Sequence, residues 1–172
     1  MDNKTKAIAA KKASIRLAAV SGDMKNRALA GVVDSIKQHR EQIFAANRAD
    51  LKRAREEDLA GPLLKRLRFD DQKLMEACEG LESLIGLADP VGITLCATEL
   101  DPGLELYKMS CPIGVIGVIF ESRPDALVQI SCLCLKSGNS VLLKGGREAA
   151  DTNRVLAEII REASVGAGIP EG

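Results

Sequence analysis

The sequence predicts an α/β fold in which a small parallel sheet follows a block of helices and a β-hairpin. Three observations support this prediction. The first ninety residues repeat apolar side chains at helical spacing. Residues 92–109 divide into two short extended pieces around a turn. Residues 115–143 contain an apolar strand, an apolar helix and a second apolar strand, which is the order of a parallel β-helix-β unit.

Residues 1–90 are predicted to be an N-terminal helical region. In the first helix, Ile8 and Ile15 share one stripe. Later helices have stripes of the same kind, formed by Leu29, Val32 and Ile36 and by Leu74, Cys78, Leu81 and Ile85. Residues 47–58 are so strongly charged that we expect a solvated helix there.

Residues 91–111 are predicted to form the β-hairpin. Its turn contains Asp101, Pro102 and Gly103, which are residue types that favour tight turns. A two-stranded hairpin is only marginally stable by itself. We therefore expect it to pack on the parallel sheet or on another subunit.

The parallel unit begins with residues 115–120, whose continuous apolar run predicts a strand that is covered on both faces. Residues 125–136 predict a buried helix, because they are apolar on nearly every side. Gly138 can supply the left-handed residue that ends this helix. Residues 141–143 predict the second strand, and residues 151–165 predict an amphipathic helix after it.

This parallel sheet is predicted to be incomplete. A parallel sheet needs further strands and cover on both faces, whereas the chain contains two parallel strands. We expect the chain to be the front part of a longer protein, with the next strand beginning near residue 169.

Composition and charge exclude several classes of function. The chain has 24 basic and 24 acidic residues and only 2% aromatic residues, which disfavours nucleic-acid binding. No signal sequence and no apolar run of membrane-spanning length is visible, so we expect a cytoplasmic protein that contacts no membrane. The five cysteines lack metal-ligand spacing and histidine neighbours, so no metal site is predicted.

Two polar loops follow the predicted parallel strands. They contain Glu121, Ser122 and Arg123 after the first strand, and Lys144, Gly145, Gly146 and Arg147 after the second. Such units bind ligands at the carboxyl ends of their strands. Cations beside glycines suit a phosphate group, since glycine lets a ligand approach the backbone closely.

The segments IGVIGVIFESRPD and LKSGNSVLLKGGREAADTNR resemble γ-glutamyl phosphate reductases, which are also called glutamate-5-semialdehyde dehydrogenases. They are equally similar to the reductase half of pyrroline-5-carboxylate synthases. The resemblance implies an aldehyde dehydrogenase-like fold with a Rossmann-type sheet, so that residues 112–172 would be the first part of an NADP-binding domain. It also implies NADPH-dependent reduction of L-glutamyl 5-phosphate to L-glutamate 5-semialdehyde, with phosphate release, in proline biosynthesis.

The resemblance suggests roles for the two loops. Glu121, Ser122, Lys144, Gly145, Gly146 and Arg147 are the candidate NADP(H)-binding residues. Arg147 would contact the extra phosphate of NADP, and Arg123 would hold the phosphate of the substrate in two hydrogen bonds. The alternatives are that Lys144 and Arg147 are only solvated charges and that Arg123 forms an ion pair with Glu121 or Asp125.

The family's chemistry needs a cysteine thiolate, and none of the five cysteines is predicted to be catalytic. Three of them lie on apolar helix faces, one lies in the hairpin and one begins a strand: Cys78, Cys132, Cys134, Cys96 and Cys111. We therefore expect the chain alone to be inactive, and we expect the enzyme to form a homo-oligomer. Two other functions remain open: a noncatalytic module that acts in assembly, and another acylating aldehyde dehydrogenase.

Overall fold

The structure is a computed structural model that describes residues 2–171. The N-terminal helices are α1 (Asn3–Leu17), α2 (Gly22–Gln38), α3 (Arg40–Glu56), α4 (Gly61–Leu67) and α5 (Asp71–Gly86). The strands β1 (Thr94–Asp101), β2 (Leu104–Met109) and β3 (Val115–Ile119) follow. The remaining elements are α6 (Pro124–Lys136), β4 (Ser140–Lys144), a 3₁₀ turn (Arg147–Ala149) and α7 (Ala150–Gly166).

A hydrophobic core lies between α2, α5, α6 and α7. The stripe predicted for α2 is confirmed, since Leu29, Val32 and Ile36 are fully buried. Leu74 and Leu81 of α5 are buried against the same core, as predicted. Each such side chain contributes about 1.5–3 kcal/mol of transfer free energy, so this cluster is the main source of stability.

The stripe predicted for α1 is wrong. Ile8 and Ile15 are 48% and 66% exposed, whereas Ala10, Ala13 and Leu17 are buried. Helix α1 packs on β3 and β4. Its small alanine side chains allow the helix to approach the sheet closely, so tertiary contact rather than side-chain size selects the buried face.

The charged segment 47–58 is also not simply a solvated helix, because α3 contains two buried polar residues. Asp50 is fully buried and accepts hydrogen bonds from the backbone N–H and the hydroxyl of Thr152, at 2.8 and 2.7 Å. Asn47 donates to the carbonyl oxygen of Leu67 at 2.9 Å. Charge patterns alone cannot reveal this face, since its polar groups are satisfied by partners distant in sequence.

Strands β3 and β4 pair in parallel, and α6 forms the crossover between them. Gly138 follows α6 with φ of +72°, as predicted. The predicted cover on both faces of the first strand is not observed. Ile119 is 82% exposed, and β4 is only partly buried. The described residues supply two strands to this sheet, and α1 and α6 contact it mainly at β4.

The hairpin is confirmed. Strands β1 and β2 pair antiparallel, and Gly103 lies in the connecting turn with φ of +79°. The alternative that the hairpin packs on the parallel sheet is wrong, because the two sheets are separate and every residue of β1 and β2 is exposed. The other alternative, packing on a second subunit, stays a prediction.

Candidate functional site

The two predicted loops leave the parallel sheet at the same edge. Ile119, the last residue of β3, pairs in register with Lys144, the last residue of β4. The backbone N–H of Phe120 then donates to the carbonyl oxygen of Lys144 at 3.1 Å. The loop with Glu121, Ser122 and Arg123 therefore begins directly beside the loop that starts at Lys144. Parallel pairing brings this about, because it aligns the carboxyl ends of the strands.

Ser122 lies inside the first loop rather than on its surface. It is 2% exposed, and its φ of +45° is unusual for a residue other than glycine. Its backbone N–H and its hydroxyl donate to Oε1 of Glu148 at 2.6 and 2.9 Å. Its neighbour Glu121 is exposed. Both hydrogen-bond donors of Ser122 are thus engaged within the protein.

Arg123 forms one of the ion pairs that the sequence left open. One guanidinium nitrogen lies 3.4 Å from Oδ2 of Asp125, which is long for a hydrogen bond. Lys73 also approaches that oxygen, at 3.5 Å. The Arg123 side chain is 56% exposed. A single long contact leaves most of the guanidinium facing solvent, where it can meet an anion.

The second loop combines two exposed cations with two tightly packed glycines. The side chain of Arg147 is 92% exposed and lies 3.9 Å from Glu57, and Lys144 is exposed as well. A Cβ atom on Gly145 would overlap the Asn153 amide and would lie 3.3 Å from the Phe120 ring. A Cβ atom on Gly146 would overlap the Glu148 carboxylate. Both glycines are therefore required for the packing of the loop itself.

A cleft of about 380 Å³ opens beside this second loop. Its lining includes Phe120, Leu127, Leu143, Lys144, Gly145, Gly146, Arg147, Ala150, Asn153, Arg154 and Ala157. One buried side-chain oxygen in the described residues has no hydrogen-bond partner, and it is Oδ1 of Asn153. A concave surface with apolar walls and a few polar groups is the usual form of a small-molecule site.

Sequence reasoning missed three residues near this edge: Glu148, Asn153 and Arg154. Glu148 is the most closely integrated, because it contacts the first loop from the second. Burial raises the pKa of Glu148, but hydrogen bonds from its own backbone N–H and from Ser122, with the charge of Lys144, outweigh burial and lower it. The sequence shows that Glu148 closely follows the two glycines, but it does not show that Ser122 is its hydrogen-bond partner.

The cysteines lie away from this edge. Burial raises the pKa of the Cys132 thiol to about 12, and nearby Cys134 acts in the same direction. Burial also raises the pKa of Cys134 and of Cys78. Cys96 is exposed in β1, and Cys111 is exposed before the amino end of β3. A thiolate nucleophile needs access and a setting that lowers its pKa, and the three buried thiols have neither.

Residues 2–171 contain neither a cluster of metal-ligating side chains nor a membrane-spanning helix. No group of three or more His, Cys, Asp or Glu side chains in this range could hold a metal ion. None of the helices in the same range combines the length and apolar character that crossing a membrane requires.

Comparison with curated proteins gives close relatives over nearly the whole chain. A γ-glutamyl phosphate reductase from Pelotomaculum thermopropionicum is 64% identical over 170 residues, which cover 99% of this chain. The chain spans about two fifths of the length of such relatives, 39% in this case. No family model matches the chain.

Comparison with solved structures supports the same fold. The crystal structure of γ-glutamyl phosphate reductase from Thermotoga maritima superposes with a TM-score of 0.94 at 36% identity, over 96% of this chain and 40% of that one. A probable aldehyde dehydrogenase from Listeria monocytogenes superposes with a TM-score of 0.70 at 18% identity, over 94% of this chain and 33% of that one. At that identity the likeness concerns the fold alone. The predicted aldehyde dehydrogenase-like α/β fold, with a parallel sheet of only two strands here, is confirmed.

Proposed function

We propose that this chain, whose resemblance to the γ-glutamyl phosphate reductases is confirmed by sequence and fold over nearly its whole length, forms part of the NADP(H)-binding surface of such an enzyme. The enzyme would reduce L-glutamyl 5-phosphate to L-glutamate 5-semialdehyde with release of phosphate, in proline biosynthesis. The observation that carries this proposal is the meeting of two cationic loops at one sheet edge, where the second loop lines a cleft.

In this proposal the second loop binds the cofactor. Lys144 and Arg147 provide positive charge on the rim of the cleft, and Gly145 and Gly146 bring the backbone close to it. Enzymes that use NADP place a cation where the extra phosphate lies. The guanidinium of Arg147 meets that requirement, since its side chain is 92% exposed and its ion-pair contact with Glu57 is 3.9 Å long. Glu121, which is exposed, would border the same surface from the first loop, whereas Ser122 is buried there and would position the loop rather than contact the cofactor.

Arg123 is proposed to bind the phosphate of the substrate. Its guanidinium projects from the carboxyl end of β3 and is held at one side by Asp125. A planar guanidinium can donate two parallel hydrogen bonds to phosphate oxygens, which orients a leaving group. Asp125 is itself shared with Lys73, so it neutralises Arg123 only in part.

The chain's own cysteines do not enter this proposal. A thiolate must attack the acyl phosphate before hydride reduces the resulting thioester. The buried thiols have raised pKa values, and the exposed thiols lie in the hairpin and at the other end of β3. We expect the 172 residues alone to bind nucleotide without turning over substrate.

We also propose the predicted division into residues 1–90, 91–111 and 112–172, with the hairpin as a contact between subunits. Strands β1 and β2 expose six large apolar side chains: Leu95, Leu100, Leu104, Leu106, Tyr107 and Met109. An apolar surface of this kind is typical of an interface. It supports homo-oligomer formation, and it equally favours the second candidate function, a noncatalytic module that docks on a complete reductase. A cytoplasmic location stays a prediction.

The decisive experiment is a fluorescence titration of the 172-residue chain with NADPH and with NADH. We expect Arg147→Ala to weaken NADPH binding by about tenfold, the loss of one phosphate contact, and to change NADH binding little. Arg48→Ala removes an exposed cation of α3 that does not line the cleft, and we expect it to have no effect. Equal losses for both nucleotides, or no binding by the wild type, would contradict the proposal.

A second experiment separates the two candidate functions, nucleotide binding and docking on a complete reductase. Light scattering of the chain, alone and mixed with a complete reductase, measures docking directly. A complex that forms with the reductase while the chain binds no nucleotide would favour the assembly module.

A further inference from the structure

Glu148 connects the two loops of the proposed site. It lies in the 3₁₀ turn after β4, yet its carboxylate reaches the loop after β3 and accepts two hydrogen bonds from Ser122. Charge-assisted hydrogen bonds of this kind are about twice as strong as neutral ones. Together with the backbone hydrogen bond from Phe120 to Lys144, this contact ties one loop to the other.

The contact with Glu148 stabilises an unfavourable backbone conformation of Ser122. A left-handed backbone costs a residue with a side chain about 1–2 kcal/mol, and Ser122 adopts it with φ of +45°. Ser122 directly precedes Arg123, so its backbone angles determine the direction in which the arginine leaves the sheet. Two hydrogen bonds to Glu148 offset the cost of that conformation.

The same contact orients the negative charge of Glu148. Its carboxylate occupies the space above Gly146, where a larger residue would not fit, and it points toward Ser122. Glu148 does not line the cleft, although Arg147 before it and Ala150 two residues after it do. An acid next to Arg147 would otherwise repel the phosphate of a nucleotide.

We propose that Glu148 is a positioning residue of the nucleotide surface, which holds Ser122 in its left-handed conformation and keeps its own carboxylate out of the cleft. The inference rests on the proposed function, because it concerns the binding of NADP(H) by these loops. Glu148 acts through Ser122 on the first loop, which borders the nucleotide surface, and contacts no ligand itself.

The test uses the 172-residue chain with substitutions of Glu148 and Ser122, a control substitution and two readouts. The readouts are the dissociation constants for NADPH and NADH and the hydrogen exchange rate of the Ser122 amide. We expect Glu148→Ala to weaken the binding of NADPH and of NADH by a similar factor, about tenfold. We also expect it to accelerate hydrogen exchange at the Ser122 amide. Glu148→Gln retains an acceptor oxygen and should have a smaller effect. Glu158→Ala, on the exposed face of α7, is the matched control.

Two substitutions of Ser122 provide a signature that a purely structural role would not produce. Both remove the hydroxyl, but glycine accepts a positive φ and alanine does not. We expect Ser122→Gly to bind nucleotide nearly as well as the wild type and Ser122→Ala to bind more weakly. The double variant Ser122→Ala/Glu148→Ala should be no weaker than the weaker single variant, because both act through one contact.

Other results would overturn the proposal. Tighter NADPH binding by Glu148→Ala would indicate a carboxylate that repels the phosphate, and a loss confined to NADH would indicate an acid that binds the ribose. An unchanged exchange rate of the Ser122 amide in Glu148→Ala would show that Glu148 does not restrain the Ser122 backbone. Absence of binding by the wild type would instead contradict the proposed function, and faster exchange at Ser122 in Glu148→Ala would then still support the contact.

Discussion

The hairpin of β1 and β2 and the pair of β3 and β4 are both two-stranded sheets, but their surroundings differ. Helices α1 and α6 contact β4, and α7 continues into the hydrophobic core. The hairpin has every residue exposed. The sequence predicted both pairings, whereas only the parallel pair is joined to buried side chains.

This difference predicts where the free energy of folding lies. Apolar side chains stabilise a monomer only when the fold removes them from water. The leucines of the hairpin remain in water in this chain, so they are available for contact with another surface. A change in the packed part of the molecule and a matched change in the hairpin should therefore differ in their effect on stability.

The largest expected effect concerns a buried aspartate. Asp50 accepts hydrogen bonds from Thr152 and interacts with Arg53, so it secures the start of α7 from α3. Removal of one partner from such a buried network costs about 3–5 kcal/mol. We expect Asp50→Ala to lower the free energy of unfolding by that amount in urea denaturation. The matched variant Asp101→Ala, in the exposed hairpin, should change it by less than about 0.5 kcal/mol.

Two leucines provide the next comparison. Leu156 is fully buried in the core, whereas Leu106 is 58% exposed in β2. We expect Leu156→Ala to cost about 3 kcal/mol, through lost transfer energy and the cavity that remains. Leu106→Ala should barely change urea denaturation, but it should weaken self-association measured by sedimentation. Equal destabilisation by both variants would mean that the hairpin is covered within the monomer.

Thiol labelling compares the same regions chemically. The pKa of Cys132 is raised to about 12 by burial and, in the same direction, by Cys134, whereas Cys96 is exposed in the hairpin. Because the thiolate is the reactive form, we expect Cys96 to react with a maleimide at least about 100-fold faster in the folded chain. Mass spectrometry of peptides after timed labelling measures the ratio. Comparable rates would show that α6 opens readily, and urea should abolish the difference.

The smallest expected effect is a loss of folding stability at low pH. Burial raises the pKa of Glu148, but its hydrogen bonds and Lys144 lower it overall. A lowered folded pKa means that the stabilisation is present above the ordinary value of 4.5 and is lost as pH falls through the folded value. We expect less than about 1 kcal/mol, since Glu148 is partly exposed. Glu148→Gln should remove this acid-dependent step, whereas Glu99→Gln in the hairpin should leave it unchanged.

Much of the fold was predictable because it depends on neighbours in sequence. The turn at Pro102 and Gly103, the helix stop at Gly138 and the apolar stripe around Val32 follow from local backbone preference and periodicity. The meeting of the loops at Arg123 and Lys144 also followed, because parallel strands align their carboxyl ends. The roles of these loop residues in binding stay predictions.

The remaining features depend on partners that are distant in the chain. Asp50 is buried because Thr152 lies opposite it, 102 residues later, and Ile15 is exposed because α1 meets the sheet through its alanines. Glu148 was overlooked for the same reason, since its partner Ser122 lies in another loop. A hydropathy pattern records the polarity of each residue but not the group that satisfies it.

The sequence by itself therefore determined the order of the elements, the hairpin and the two loops at one edge, since periodicity and turn chemistry are local properties. Only the tertiary structure decided which polar groups are buried, which face of α1 is covered and which acid joins the two loops. Those outcomes depend on the hydrogen bonds and contacts that become available when distant segments pack together.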